Sequence, residues 1–105
     1  MEKPNLNYID EISQGDKTFK EKIISLLKKE LPQEISIYKK NLEIGNFKEA
    51  ALNVHKLKHK IAILGIPKAQ KITSQFESNL KNNDKTLYID FDSILKKISN
   101  FVDKL

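Results

Sequence analysis

The sequence contains no cysteine, no arginine and no tryptophan. Without cysteine it forms neither disulfides nor thiolate metal centres. Without arginine it has no planar fork for bidentate contacts to bases or phosphates, so any basic surface acts through lysine point charges alone. Three glycines and three prolines among 105 residues leave few breaks in the chain, and neither a repeat nor a low-complexity tract is present. No apolar run approaches membrane-spanning length, and Met1-Glu2-Lys3-Pro4-Asn5 lacks the apolar segment of a secretory leader. A cytoplasmic protein with no membrane partner is the expectation.

What is present is a globular mix, 39% hydrophobic and 31% charged, in a chain long enough to bury its own core. Residues 1–105 are therefore expected to form a single domain, acting as a monomer. The formal net charge of +5 is unevenly spread. Between Asn46 and Lys71 stand six lysines and one glutamate, whereas the remainder carries thirteen lysines and thirteen acids. The excess is a local positive field on the segment that holds both histidines, His55 and His59.

Apolar residues recur at helical spacing nearly throughout, which predicts an all-α fold. Leu6, Ile9 and Ile12 mark a short first helix that Gly15 ends, with Asp16 placed to cap the next. Phe19, Ile23, Leu26 and Leu27 give that second helix one apolar face. Pro32 breaks or kinks it, or starts a new helix, and Ile35, Tyr38 and Leu42 continue the pattern. After a Gly45-Asn46 turn, Asn46 and Glu49 resemble a capping box. Phe47, Ala50, Val54, Leu57, Ile61 and Leu64 then line one stripe of a helix that Gly65 and Pro67 end. Two further helices follow, carrying Ala69 to Leu80 and Phe91 to Leu105. Short connections favour an antiparallel up-and-down four-helix bundle, with the first helix as a short extra element at one end.

At about 100° per residue, His55 lies roughly 120° from the centre of its helix's apolar stripe, which predicts exposure. Lys48, Ala51, Leu52, Lys58, His59 and Ala62 share its face, with Ile63 at the margin. The run Val54-His55-Lys56-Leu57-Lys58-His59, ending in Leu64-Gly65, resembles the signature of the histidine-containing phosphotransfer (Hpt) domain family. That signature reads His-x-Leu-Lys-Gly followed by a Leu-Gly pair. Phe76-Glu77 is similar to the pair that the family places on the next helix. Gly15, Asp16 and Phe19, the Pro32 break and the Gly45-Asn46 turn extend the likeness over most of the chain.

The resemblance implies a phosphocarrier rather than an enzyme, with His55 accepting a phosphoryl group from a receiver-domain aspartate and returning it to another. An imidazole that keeps a lone pair at physiological pH suits such an attack. Lys58, one turn on, would offset phosphoryl charge. Glu77 is either an ordinary boundary carboxylate or the acceptor that orients the imidazole. Lys48, Ala51, Leu52, Ala62, Ile63 and Lys68 would form the docking face. The implied partners are response-regulator receiver domains and a hybrid sensor histidine kinase. No cofactor is expected in this chain, Mg²⁺ being supplied by the receiver.

The sequence departs from the family at His59, where the family usually has glycine, and at Lys60, where it prefers a small residue. His59 either obstructs a partner's approach, leaving a degenerate domain that binds receivers without transfer, or donates a hydrogen bond to the phosphoryl group. A metal grip by His55 and His59 lacks an obvious third ligand. A nucleic-acid-binding bundle rests only on the lysine cluster, and no nucleic-acid partner is expected.

Overall fold

The computed structural model describes residues 2–105, which form five helices: α1 Asn7–Ser13, α2 Lys17–Glu43, α3 Phe47–Ile63, α4 Pro67–Lys81 and α5 Tyr88–Asp103. Helices α2 to α5 close a ring, each packing on the next and α5 returning to α2, while α1 lies on α2. Consecutive helices of the ring run antiparallel, as their short turns require. No strand occurs among the described residues.

Each helix buries one stripe. Leu27, Leu31 and Tyr38 of α2 meet Val54, Leu57 and Ile61 of α3, Phe76 and Leu80 of α4, and Phe91, Leu95 and Ile98 of α5. At the centre, the ring of Tyr38 stands edge-on to both Phe76 and Phe91, with centroids 6.2 and 5.1 Å away, and Phe76 and Phe91 lie 5.2 Å apart. These separations are those of favourable aromatic pairs.

The helix ends follow from named side chains. Asp16 Oδ1 accepts from the Phe19 N–H at 3.1 Å and Asn46 Oδ1 from the Glu49 N–H at 3.4 Å, so both act as N-caps. The Asn46 N–H donates to the Asn41 carbonyl, so Glu49 does not complete a capping box. Gly65 turns the chain at φ +72, and a Cβ there would come within 2.8 Å of the Asn5 side chain. The positive φ favours glycine at this position, and a side chain there would also displace Asn5. Asn5 is in turn tied to the end of α3 by its N–H, 2.8 Å from the Leu64 carbonyl. The Glu2 carboxylate accepts the otherwise free N–H groups of Lys68 and Ala69 at 3.0 and 2.8 Å, so the N-terminal arm caps α4.

Two expectations about α2 are corrected, that Pro32 breaks the helix or starts a new one and that its first apolar residues all face inward. The helix neither ends nor restarts at Pro32 but runs unbroken for 27 residues. Proline deprives the carbonyl four residues earlier of its partner; that residue, Lys28, is exposed, where water can serve instead. Nor do Phe19, Ile23, Leu26 and Leu27 share a buried face, because only Leu27 is buried, and Phe19 and Leu26 are exposed. Ile12 of α1 also faces outward.

Lys60 does not stand over His55. It turns to α2, where its Nζ lies 2.8 Å from Glu34 and 3.5 Å from Glu30. Since the lysine and Glu34 side chains are only 16% and 18% exposed, Lys60→Ala should strand a largely buried carboxylate. A loss of about 1–3 kcal/mol in urea denaturation is expected. An unchanged midpoint would show that the pair contributes nothing.

Candidate functional site

Helix α3 presents side chains in three directions. Val54, Leu57 and Ile61 face the core. Asn53 and Lys60 reach α2, Asn53 Oδ1 accepting from Asn41 at 2.7 Å. His55 and Lys58 reach α4, where both meet one carboxylate. This arrangement follows from the helical repeat, since residues three apart share a face.

That carboxylate is Glu77. His55 Nδ1 lies 3.2 and 3.1 Å from its two oxygens, and Lys58 Nζ donates to Oε1 at 3.1 Å. Lys81, four residues along α4, approaches Oε2 at 3.4 Å. The Glu77 side chain is 11% exposed and that of His55 is 48% exposed. Burial works against the charged carboxylate, but the hydrogen bonds and charges of Lys58 and His55 outweigh it and hold the Glu77 carboxyl below the usual glutamate range. An ionised carboxylate only accepts hydrogen bonds, so the ring proton that faces it must sit on Nδ1. Nε2 is then the ring atom with the free lone pair.

His59 stands one turn further along α3, exposed, with its ring edge-on to that of His55 at 5.0 Å and 70°. No group of three or more His, Cys, Asp or Glu among the described residues is arranged to hold a metal ion.

Of the residues considered for docking, Lys48, Leu52, Ala62 and Lys68 are exposed and Ile63 is half-buried. Ala51 corrects the sequence reading: it is buried, because its single methyl group lies on the α4 side of α3, beneath longer neighbours. With Lys48, Leu52 and Lys81 it lines a notch of about 400 Å³ one turn before His55. Lys68 is the second residue of α4, nine residues and so roughly 13 Å along the helix axis from Glu77. It flanks Glu2 rather than His55.

Sequence reasoning missed Lys81, although the signal was available. A glutamate followed by a lysine four residues later on one helix is a favoured pair, and once Glu77 is singled out Lys81 follows.

The sequence model of the Hpt domain family matches residues 22–100, from early α2 to the last turn of α5. The chain belongs to the Hpt domain family. Among curated proteins and among solved structures, nothing matches it. Hpt domains are phosphocarriers of two-component signalling that work with receiver domains and are not enzymes by themselves. No helix of this Hpt domain is long and apolar enough to cross a membrane among the described residues.

The depressed Glu77 carboxyl makes a prediction about pH. A carboxylate held below its ordinary value of 4.5 adds stability that is fully present above that value and is lost as pH falls through the lower folded value. The acid limb of the stability curve should therefore be shallower in Glu77→Gln than in the wild type, read as urea midpoints from about pH 6 down to pH 3. Parallel limbs would show that Glu77 gains nothing from His55 and Lys58.

Proposed function

We propose that residues 1–105 act as one Hpt domain in which His55 accepts a phosphoryl group from the aspartyl phosphate of a receiver domain and passes it to another receiver. The observation that carries this is the pairing of His55 Nδ1 with an ionised, largely buried Glu77, which leaves Nε2 of a half-exposed ring to react. In the step proposed, the Nε2 lone pair forms the N–P bond while the P–O bond to the aspartate breaks. The aspartate leaves as a carboxylate and the Nδ1 proton stays on the ring. The positive charge that develops on the imidazole is opposed by Glu77, and Lys58 supplies charge beside the incoming phosphoryl oxygens. The receiver would hold the Mg²⁺.

The docking face consists of Leu52, Ala62 and Ile63 around His55, with Lys48 and Lys81 beside it and the methyl of Ala51 as the floor of the notch. The partners are response-regulator receivers and the receiver of a hybrid sensor kinase, in the cytoplasm, and one copy of the chain suffices for the chemistry. A nucleic-acid reading is weakened, because two of the six lysines of the basic segment, Lys58 and Lys60, are engaged by Glu77 and Glu34. The test is incubation with a phosphorylated receiver and Mg²⁺. Acid-labile, alkali-stable label should move to the chain, while ATP alone should give none. Binding of receivers without any transfer would refute the proposal and favour a degenerate domain.

We read His59, whose ring lies 5.0 Å from that of His55, as a mild obstruction. His59→Gly should speed transfer, although a mid-helix glycine should lower stability by roughly 0.5–1 kcal/mol. Slower transfer in that variant, with partial recovery in His59→Gln, would make His59 a phosphoryl ligand instead.

A further inference from the structure

Helix α2 carries a second apolar line that the bundle does not use. Phe19, Leu26, Ile37 and Ile44, the last at the C-cap, are 44%, 54%, 53% and 65% exposed. At 100° per residue all four fall within about 20° of one another around the helix, on the side away from Leu27, Leu31 and Tyr38. Scattered exposed apolar residues need no explanation, but an aligned row along a 27-residue helix is an unpartnered seam.

The geometry points to a second copy of this chain as its occupant, with the two α2 helices antiparallel. The spacing of the row is symmetric about a point between Leu31 and Pro32. Reflection through that point exchanges Phe19 with Ile44 and Leu26 with Ile37. It also exchanges Glu30 with Gln33, a hydrogen-bonding pair, and half-buried Ile23 with Lys40, whose aliphatic stem can cover it. A row with this symmetry is complementary to itself under a two-fold axis, which is what an isologous dimer needs. Ile23, Glu30, Gln33 and Lys40 fill the gaps of the row, and the resulting steps of four and three residues are those of a left-handed coiled-coil seam.

The flank agrees in charge. In an antiparallel pair the residues that flank the seam on one side face each other, offset by two positions from the reflection of the core, which sets Lys22 against Glu43 of the other copy, twice, and Lys29 against Ser36. A parallel pair would instead bring Lys22 toward Leu27 of the other copy, which its own bundle buries. The seam is separate from the site between α3 and α4: α3 holds α2 through Asn53 and Lys60 on one face and meets α4 through His55 and Lys58 on another. The inference is therefore independent of the proposed phosphotransfer, and it revises the expectation of a monomer. One helix pair covers less than the roughly 1,200–2,000 Å² of stable interfaces, so a reversible dimer is expected.

Sedimentation equilibrium of the full chain between about 10 µM and 1 mM should show the mass rising from 12.1 kDa toward twice that value. Leu26→Lys, at a position too exposed to matter to the fold, should weaken association about tenfold or more. Lys22→Glu and Glu43→Lys should each weaken it, and the double exchange should recover most of the loss. The native absence of cysteine allows a sharper arm. Lys22→Cys and Glu43→Cys should each stay uncrosslinked under oxidant, and a mixture of the two should yield a covalent dimer. A constant mass of 12.1 kDa throughout the range, or crosslinking of Lys22→Cys to itself, would overturn the proposal.

Discussion

A His55→Gln chain should take no label from a phosphorylated receiver while keeping the wild-type fold. The loss is expected to be complete because an amide has no lone pair able to attack phosphorus, whereas every other element of the face would remain. The fold should persist because the His55 side chain is 48% exposed and the glutamine amide can still donate to Glu77. Helicity should be unchanged and stability within about 0.5 kcal/mol of wild type. The nearest alternative nucleophile is His59, whose ring is 5.0 Å away. Label that survives in His55→Gln and disappears in a His55→Gln, His59→Gln double variant would move the reaction one turn along the helix.

Phe76→Ala should have the largest effect on stability, a loss of about 3–5 kcal/mol. Phe76 is fully buried and is packed against both Tyr38 and Phe91, so its removal empties the centre of the bundle rather than one edge. Neighbouring rings cannot collapse into the space without leaving their own edge-on contacts. Domains of this size have about 5–15 kcal/mol in total, so a fall in melting temperature on the order of 15 °C is expected. The variant bears on function as well, because Glu77 is the next residue on α4 and owes its position beside His55 to the seating of that turn. A melting temperature within about 3 °C of wild type would mean that the three-ring cluster is not the centre of the core.

Much of the fold can be read in the chain because its punctuation is local. Asp16 and Asn46 cap the helices they precede, and Gly65 with Pro67 separates α3 from α4, each through backbone chemistry within one turn. The exposure of His55 follows equally from the wheel of α3 alone. Errors arose where the answer depended on what lies opposite. Pro32 is tolerated where the residue whose carbonyl it deprives, Lys28, is exposed, which the position of α2 in the bundle decides. Phe19 and Leu26 read as one apolar face with Leu27 because α2 carries two apolar rows and periodicity does not say which row meets other helices. The inward direction of Ala51 and the turn of Lys60 toward Glu34 are set by neighbouring helices in the same way.

At the site, the spacing of His55 and Lys58 is a property of one helix and is visible in sequence. Their convergence on Glu77 is not, since it depends on the register of α4 against α3, and only the likeness to the Hpt domain family suggested it. Glu77 is further set apart by its burial, which a boundary carboxylate with no partners would not sustain. Three cationic groups, from His55, Lys58 and Lys81, surround it when the ring is protonated or carries a phosphoryl group. Its charge thus couples the state of the imidazole to the lysines beside it.

The most direct measurement is the position of the phosphoryl group on the wild-type chain after exposure to a phosphorylated receiver, read by phosphorus–nitrogen correlation NMR on protein labelled with ¹⁵N-histidine. Phosphorus on Nε2 of His55, with Nδ1 of the same ring still protonated, is the expected result. Phosphorus on Nδ1 of His55, on His59, or on neither histidine would contradict it.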